Sequence, residues 1–435
     1  MQIRIHRSIY ALAISVVSIL GTMRTTQAQE PDQLTIQFLA GTHPTAHWDG
    51  AQALAKAKAS SDVSNAASTL EGFPGVDTIP TWNGQFFANG YDPFGNPNRK
   101  WLYNMVGTSP ESDMTTVIDA PIIPVSLDLR NYDGSPRFVN GHRLYSDATQ
   151  FVRPVLNSPV FQKDRYSSSE RSTQITDAVQ RASFGDDAED NWHTLLSPAV
   201  KTPRVMKLIR GTYYFALNTD GTCCLYVLID EGTFGNNLFP PTYPVDNSTV
   251  IGAAELAGDM TTHDITTLLF PNAYLYANND PSQCCILGYH SFDFEPGIPS
   301  NGNLSRFYVM NYSSWITPGL FGDAFSDVTA LSHEIAETFA DPLVAFDGVH
   351  NITPWWLSPN GNCQDNLEVG DVIEGLPNAT YPITMHGYTY HPQNEALLPW
   401  FEFKSPSTAL QRAYSYPDTS VLTALSPLEK AACAP

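Results

Sequence analysis

The sequence predicts a fold of the α+β or α/β class: a mixed sheet followed by one amphipathic helix, with many loops between. Three observations carry that expectation. Short apolar or alternating runs rich in Val, Ile, Tyr and Phe recur between residues 116 and 311 and read as strands. One stretch, Asp327 to Ala340, repeats its apolar residues at helical spacing. Pro (33) and Gly (28) are frequent while only 15% of residues are charged, as in a loop-rich extracellular protein.

The first residues read as an export leader. Arg4 and Arg7 precede the apolar run Ile9 to Leu20, which is short for a bilayer span, and Thr26-Gln27-Ala28 ends in a small residue suited to cleavage. The expected organisation is a leader at 1–28, a strand- and loop-rich region at 29–244, and a region at 245–435 that holds the helix. Export predicts a secreted location, extracellular or periplasmic, with no membrane span once the leader is gone. Losing the leader removes three arginines and no acid, moving the net charge from -21 to -24. Such a charge excludes nucleic acid as a partner, because phosphate recognition needs basic patches.

Gln33 to Leu39 alternates and reads as the first strand. Gly50 to Ser68 is Ala-rich and reads as a helix or an arm. Gly72 to Ser112 mixes Gly, Pro and Asn with Trp82, Phe86, Phe87, Tyr91, Phe94, Trp101 and Tyr103. That composition suggests irregular structure packed by aromatics, with a carbohydrate-binding surface as the alternative. Thr116 to Leu129 reads as one or two strands, and Phe151 to Phe161 as extended chain punctuated by Pro154 and Pro159. Ser172 to Phe184 is helical, with Ile175, Val179 and Ala182 on one side. Val205 to Leu217 and Cys224 to Ile229 read as a strand pair turning near Asp220-Gly221. Ile265 to Leu269, Cys285 to Tyr289 and Phe307 to Asn311 are further strands.

Six cysteines, all after the leader, suggest disulfides in an exported chain. The adjacent pairs Cys223-Cys224 and Cys284-Cys285 sit beside apolar runs and are expected to cross-link neighbouring strands, with a four-cysteine zinc site as the competing reading. Sequons occur at Asn247, Asn303, Asn311, Asn351 and Asn378.

The chemistry concentrates in Leu331 to Pro342, which reads L-S-H-E-I-A-E-T-F-A-D-P. At about 100° per residue, Glu337 falls about 40° and Asp341 about 80° from His333 around a helix. Val328, Leu331, Ile335 and Phe339 gather opposite, as a core-facing stripe. Ser326 is the expected N-cap, and Pro342 ends the helix. His333 and Glu337, at i and i+4, can hold one metal ion, and Glu334 is placed to deprotonate a water. The motif differs from H-E-x-x-H in its last ligand, where a carboxylate is also acceptable to zinc. The competing reading is a buried polar network without metal. A third ligand is expected from Glu368 first or Asp371 second, in E-V-G-D, with Asp341, His386, His391 and His290 as further candidates. Zn2+ is the expected ion. Glu368 and Asp371 also suit Ca2+.

From Tyr289 onward the chain resembles the plant EXORDIUM or phosphate-induced proteins and related exported microbial proteins. The resemblance rests on Gly288-Tyr289-His290, Ser332 to Glu337, Asp341-Pro342 and Glu368-Val369-Gly370-Asp371, with Tyr388 to Phe401 standing in for a terminal aromatic strand. Phe151 to Val155 and Gln174 to Phe184 are similar to related exported bacterial proteins. Val372 stands where many relatives carry Cys, and Cys363 lies earlier, which puts the family's local disulfide in doubt here. The resemblance implies an exported protein with an H-E-x-x-E helix like that of the zincin metalloproteases. The function expected is a zinc metallopeptidase acting on a peptide or a cell-wall-associated substrate, with Glu334 as base. The alternatives are a non-catalytic extracellular or cell-envelope protein and a carbohydrate-binding or carbohydrate-active one.

Overall fold

Apolar alternation and β-branching build two main sheets and several two-stranded ones in the computed structural model, which describes residues 30–40, 42, 44, 76–88, 100–167, 171–240, 245–322 and 324–426. The expected leader, the Ala-rich stretch Gly50 to Ser68, Tyr91, Phe94 and Cys433 lie outside the described residues. The fold is mixed α and β, with several sheets and few helices.

The principal strands are β1 (Thr115–Arg130), β2 (His193–Val200), β3 (Arg204–Ile209), β4 (Tyr213–Leu217), β5 (Cys223–Asp230), β6 (Thr266–Pro271), β7 (Ala273–Tyr276), β8 (Cys284–Ile286), β9 (Gly288–Glu295) and β10 (Ser305–Trp315). The longest helices are α1 (Ile175–Phe184) and α2 (Thr329–Ala340). The larger sheet runs β3-β1-β6-β10-β9. It is parallel from β3 to β10, and β9 is antiparallel at the end of the path. β2 runs parallel to the first half of β1. The smaller sheet runs Gln33–Leu34, β4, β5, β7, β8. The larger sheet takes strands from both sides of residue 244, and Asp32–Pro435 forms one unit.

α2 packs across β9 and β10. Val328, Leu331, Ile335 and Phe339 join Phe292, Phe294, Phe307 and Val309 in one core cluster, the face that the helical spacing predicts. The other face of the sheet packs Tyr289, Tyr308, Met310 and Tyr312 in a second cluster. Successive strand residues point to opposite faces. His290 therefore shares the α2 side of β9 with Phe292 and Phe294.

Several expectations are corrected. Gln33 to Leu39 is strand only at Gln33–Leu34 and then turns into a short helix, Ile36–Leu39, that buries Leu39. Phe151 to Phe161 is not extended, since Val152–Leu156 is helical. Pro154 falls in its first turn, where a missing N–H costs no helical bond. Gly72 to Ser112 is not all irregular: Thr81–Phe86 and Trp101–Val106 pair antiparallel. Trp82, Phe86, Trp101 and Tyr103 are buried there, which is the packing role. Ser326 is not the N-cap of α2, which is Val328. The Thr329 hydroxyl instead closes the turn, accepting from the Ser326 N–H and donating to the Ser326 carbonyl. The cysteine pairs do not cross-link strands. The sulfurs of Cys223 and Cys224, and those of Cys284 and Cys285, lie at bonding distance within each pair. No described cysteine is free. Among the described residues no helix is long and apolar enough to cross a membrane.

Arg137 ties the first described strand to the body. Its guanidinium grips both oxygens of Asp32, one at 2.7 Å, and donates to the Tyr213 hydroxyl at 2.9 Å. Burial raises the Asp32 pKa, but the Arg137 hydrogen bond and charge outweigh it and hold the carboxyl below its usual value. The stabilisation is therefore present above the unfolded pKa of about 3.9 and is lost as pH falls through the lower folded value. Arg137→Met is expected to cost about 3 kcal/mol at pH 7, the lower end for a broken buried pair because Arg210 remains 3.3 Å from Asp32. Urea unfolding measured at pH 7 and again well below pH 4 checks this, and the difference from wild type should shrink at the lower pH.

Candidate metal centre

All twelve residues of α2 are buried, so its polar face has to find partners inside the protein. Asp341 leaves helical geometry at φ -142°, before Pro342, as the sequence predicts. The Leu367–Glu374 loop covers the polar face. The amides of Gly370 and Asp371 donate to Glu337 Oε1 at 3.0 and 3.2 Å, which leaves Oε2 facing inward. Gln393 holds the loop, donating from Nε2 to the Gly370 carbonyl at 2.8 Å and from its amide to Ser332 Oγ at 2.8 Å. Two glycines permit the close approach. A Cβ on Gly370 would sit 2.5 Å from His333 Nδ1, and one on Gly288 2.6 Å from Glu334 Oε1.

The structure brings together His333, Glu334, Glu337, Glu368 and Asp371, and adds His290 from β9. His333 Nε2 is 3.1 Å from Glu337 Oε2 and 3.5 Å from Asp371 Oδ1. His290 Nδ1 is 3.5 Å from Glu337 Oε2, 3.7 Å from Glu334 Oε2 and 3.8 Å from Glu368 Oε2. Two compact sets of potential ligands result, His333/Glu337/Asp371 and His290/Glu337/Glu368, each with ligand atoms within 4.8 Å of one another.

His290 Nε2 lies 3.0 Å from the Asp341 backbone carbonyl. A carbonyl only accepts, so Nε2 carries a proton, and Nδ1 faces the carboxylates; burial lowers the His290 pKa, but the neighbouring Glu368, Glu334 and Glu337 hold it well above its usual value. Such a bond behind the ring is the usual support of a metal-ligating imidazole. His333 is fully buried, and neither ring nitrogen makes a hydrogen bond despite the short approach of Glu337. Both Glu334 oxygens also lack a hydrogen bond. Orphaned buried polar atoms are costly, and a cation among them would satisfy the donors. The residues present therefore fit a divalent ion.

The electrostatics agree. Burial by itself lowers the His333 pKa, but the charge of Glu337 and the nearby Asp371 carboxylate hold it well above its usual value. Burial raises Glu337, but the His333 charge outweighs it and leaves this carboxyl well below its usual value. Burial pushes Glu334 up to about 8 and Glu368 well above the carboxylate range. Glu395 behaves likewise. It is 1% exposed, has no hydrogen bond to its carboxylate, and feels His333, Glu337 and Glu334. Without a cation, this centre holds more carboxyl groups than it can keep ionised.

The other candidates fall elsewhere. Asp341 turns its carboxylate to the Ala345 amide and Asn351 Nδ2, and serves the centre through its carbonyl. His386 is exposed in a hairpin turn, and His391 pairs with Asp327 at 2.7 Å. Sequence reasoning missed Glu395, which no motif marks. It kept His290 only as a minor candidate, although Gly288-Tyr289-His290 was the available signal. Comparison with family models, curated proteins and solved structures finds no match.

Gly370→Ala is expected to push His333 off its partners and weaken zinc binding at least about tenfold, as for a disturbed supporting contact. Gly232→Ala, whose Cβ would meet only Asp230 at an ordinary 3.5 Å, should leave binding unchanged. Competition titration with a chromophoric chelator, beside circular dichroism, measures both.

Proposed function

We propose that this protein is an exported zinc-dependent hydrolase, a peptidase by reaction class, whose α2 is a zincin-like H-E-x-x-E helix, and that it is kin to the EXORDIUM-like proteins through the motifs that α2, β9 and the Glu368–Asp371 turn carry. The observation that supports it most is His333: a fully buried imidazole with no hydrogen bond, its Nε2 facing the Glu337 and Asp371 carboxylates. Imidazole nitrogen alongside carboxylate favours zinc, whereas calcium prefers an all-oxygen set.

A bound zinc ion supplies Lewis acidity to a scissile carbonyl and lowers the pKa of its water to about 7. The residues do the rest. His333, Glu337 and Asp371 would hold the ion, and Glu337 is itself fixed by two backbone amides. Glu334 takes the water proton and passes it to the leaving amine, so that the peptide bond is replaced by a carboxyl and an amine. The enclosed position strengthens the electrostatic interactions that Glu334 makes.

A second reading, a non-catalytic extracellular or cell-envelope protein with a structural ion, draws on the same enclosure, because Glu334 is 0% exposed. The carbohydrate reading draws little support, since Trp82, Phe86, Trp101 and Tyr103 are buried and, of that stretch's described aromatics, Phe87 is the exposed one. Elemental mass spectrometry of the purified mature protein should find zinc, diminished in His333→Ala. Glu334→Gln should retain the metal and lose at least about a hundredfold in turnover of quenched peptide substrates, the weight of a general base. Metal present with no turnover in wild type would favour the structural ion.

A further inference from the structure

We propose that the centre is dinuclear: a second divalent ion sits between His290 and Glu368, and Glu337 Oε2 bridges it to the ion held by His333 and Asp371. The inference rests on the reading of this centre as a metal site and goes beyond the single ion on which the hydrolase proposal is built.

Geometry separates the two histidines. One ion with bonds of about 2.0–2.1 Å to two nitrogens holds them at most about 4.2 Å apart. Yet each histidine forms a compact set with Glu337, and among the described residues no set with ligand atoms within 4.8 Å joins the two histidines. The single atom close to both is Glu337 Oε2, at 3.1 Å from His333 Nε2 and 3.5 Å from His290 Nδ1. Its other oxygen is occupied by the Gly370 and Asp371 amides. Oε2 is therefore the bridging atom.

The distances around His290 are those of ligands rather than of hydrogen bonds. Its Nδ1 stands 3.5 to 3.8 Å from three carboxylate oxygens, beyond hydrogen-bond range. Ligands about 2.05 Å from a tetrahedral ion are about 3.3 Å from one another. The bond from His290 Nε2 to the Asp341 carbonyl aims Nδ1 at that gap.

Charge gives an independent reason. Glu334, Glu337, Glu368, Asp371 and Glu395 are each at most 5% exposed, around two imidazoles. Two divalent ions would balance more of these five buried carboxyl groups than one. Buried charge persists when it is paired or bound to metal. The second ion would also adjoin Glu334, whose Oε2 lies 3.7 Å from His290 Nδ1. Metal pairs that share a bridging ligand hold their ions about 3.5–4 Å apart and act together on the attacking and leaving groups.

The test is metal stoichiometry of the full mature protein, stripped, reloaded with zinc and desalted. Wild type should hold two ions per chain, and His290→Ala and His333→Ala one each. Glu368→Gln, nearly isosteric, should also hold one and serves if His290→Ala does not fold. Loaded with Mn(II), wild type should give an exchange-coupled paramagnetic resonance signal, replaced by a single-ion signal in Glu368→Gln. One ion per chain in wild type overturns the second site and leaves the zinc reading standing. No ion overturns both. Two ions with uncoupled Mn(II) signals overturn the Glu337 bridge.

Discussion

A helix buried on every side is the constraint from which the rest of this structure follows. α2 cannot turn its His and Glu residues to water, so the protein has to bring polar partners to them. It does so with backbone as much as with side chains. The Gly370 and Asp371 amides meet Glu337, the Asp341 carbonyl meets His290, and Gln393 pins the loop that supplies those amides. None of these groups changes charge, so the cluster keeps a surplus of carboxyl groups, which burial holds toward the protonated form and a cation would balance.

The scaffold converts that need into geometry. Period-two alternation on β9 puts Gly288, His290, Phe292 and Phe294 on one face. The phenylalanines dock the apolar stripe of α2, and the same register then sets His290 opposite Glu337. Gly288 and Gly370 are glycines because a side chain at either would collide with Glu334 or His333. The motif G-Y-H and the turn E-V-G-D thus have a shared steric origin: both are surfaces against which one helix face closes. Asn351 shows how tightly this end is tied. Its amide donates to the Asn104 and Ala340 carbonyls and to Asp341, so this sequon residue is a structural strut and 3% exposed.

Much of the helix could be read before any coordinates. Apolar spacing placed Val328, Leu331, Ile335 and Phe339 on the core side, and Pro342 marked the stop. His333, Glu334 and Glu337 were legible because helical periodicity is local. Glu368 and Asp371 were legible as acids beside a glycine. The local readings that failed did so where tertiary contacts override propensity. Pro154 sits harmlessly in a first helical turn, and Thr329 took over the closing role expected of Ser326. The cysteine pairs close on themselves, each sulfur bonding its sequence neighbour rather than a cysteine of another strand.

By itself the sequence determined which side chains carry chemistry and which face of α2 is apolar, because both depend on residues within a few turns of one another. It also determined the large negative charge and the apolar runs from which strands form. Only the tertiary structure decided that His290, 43 positions before His333, faces the same carboxylate, and that Glu395 belongs to the group. The partition of the ligands into two sets about Glu337 was decided there too. The reason is the range of the interactions. Periodicity encodes the faces of one element, whereas the meeting of a strand, a helix and a loop depends on sheet register and on packing that no local pattern records.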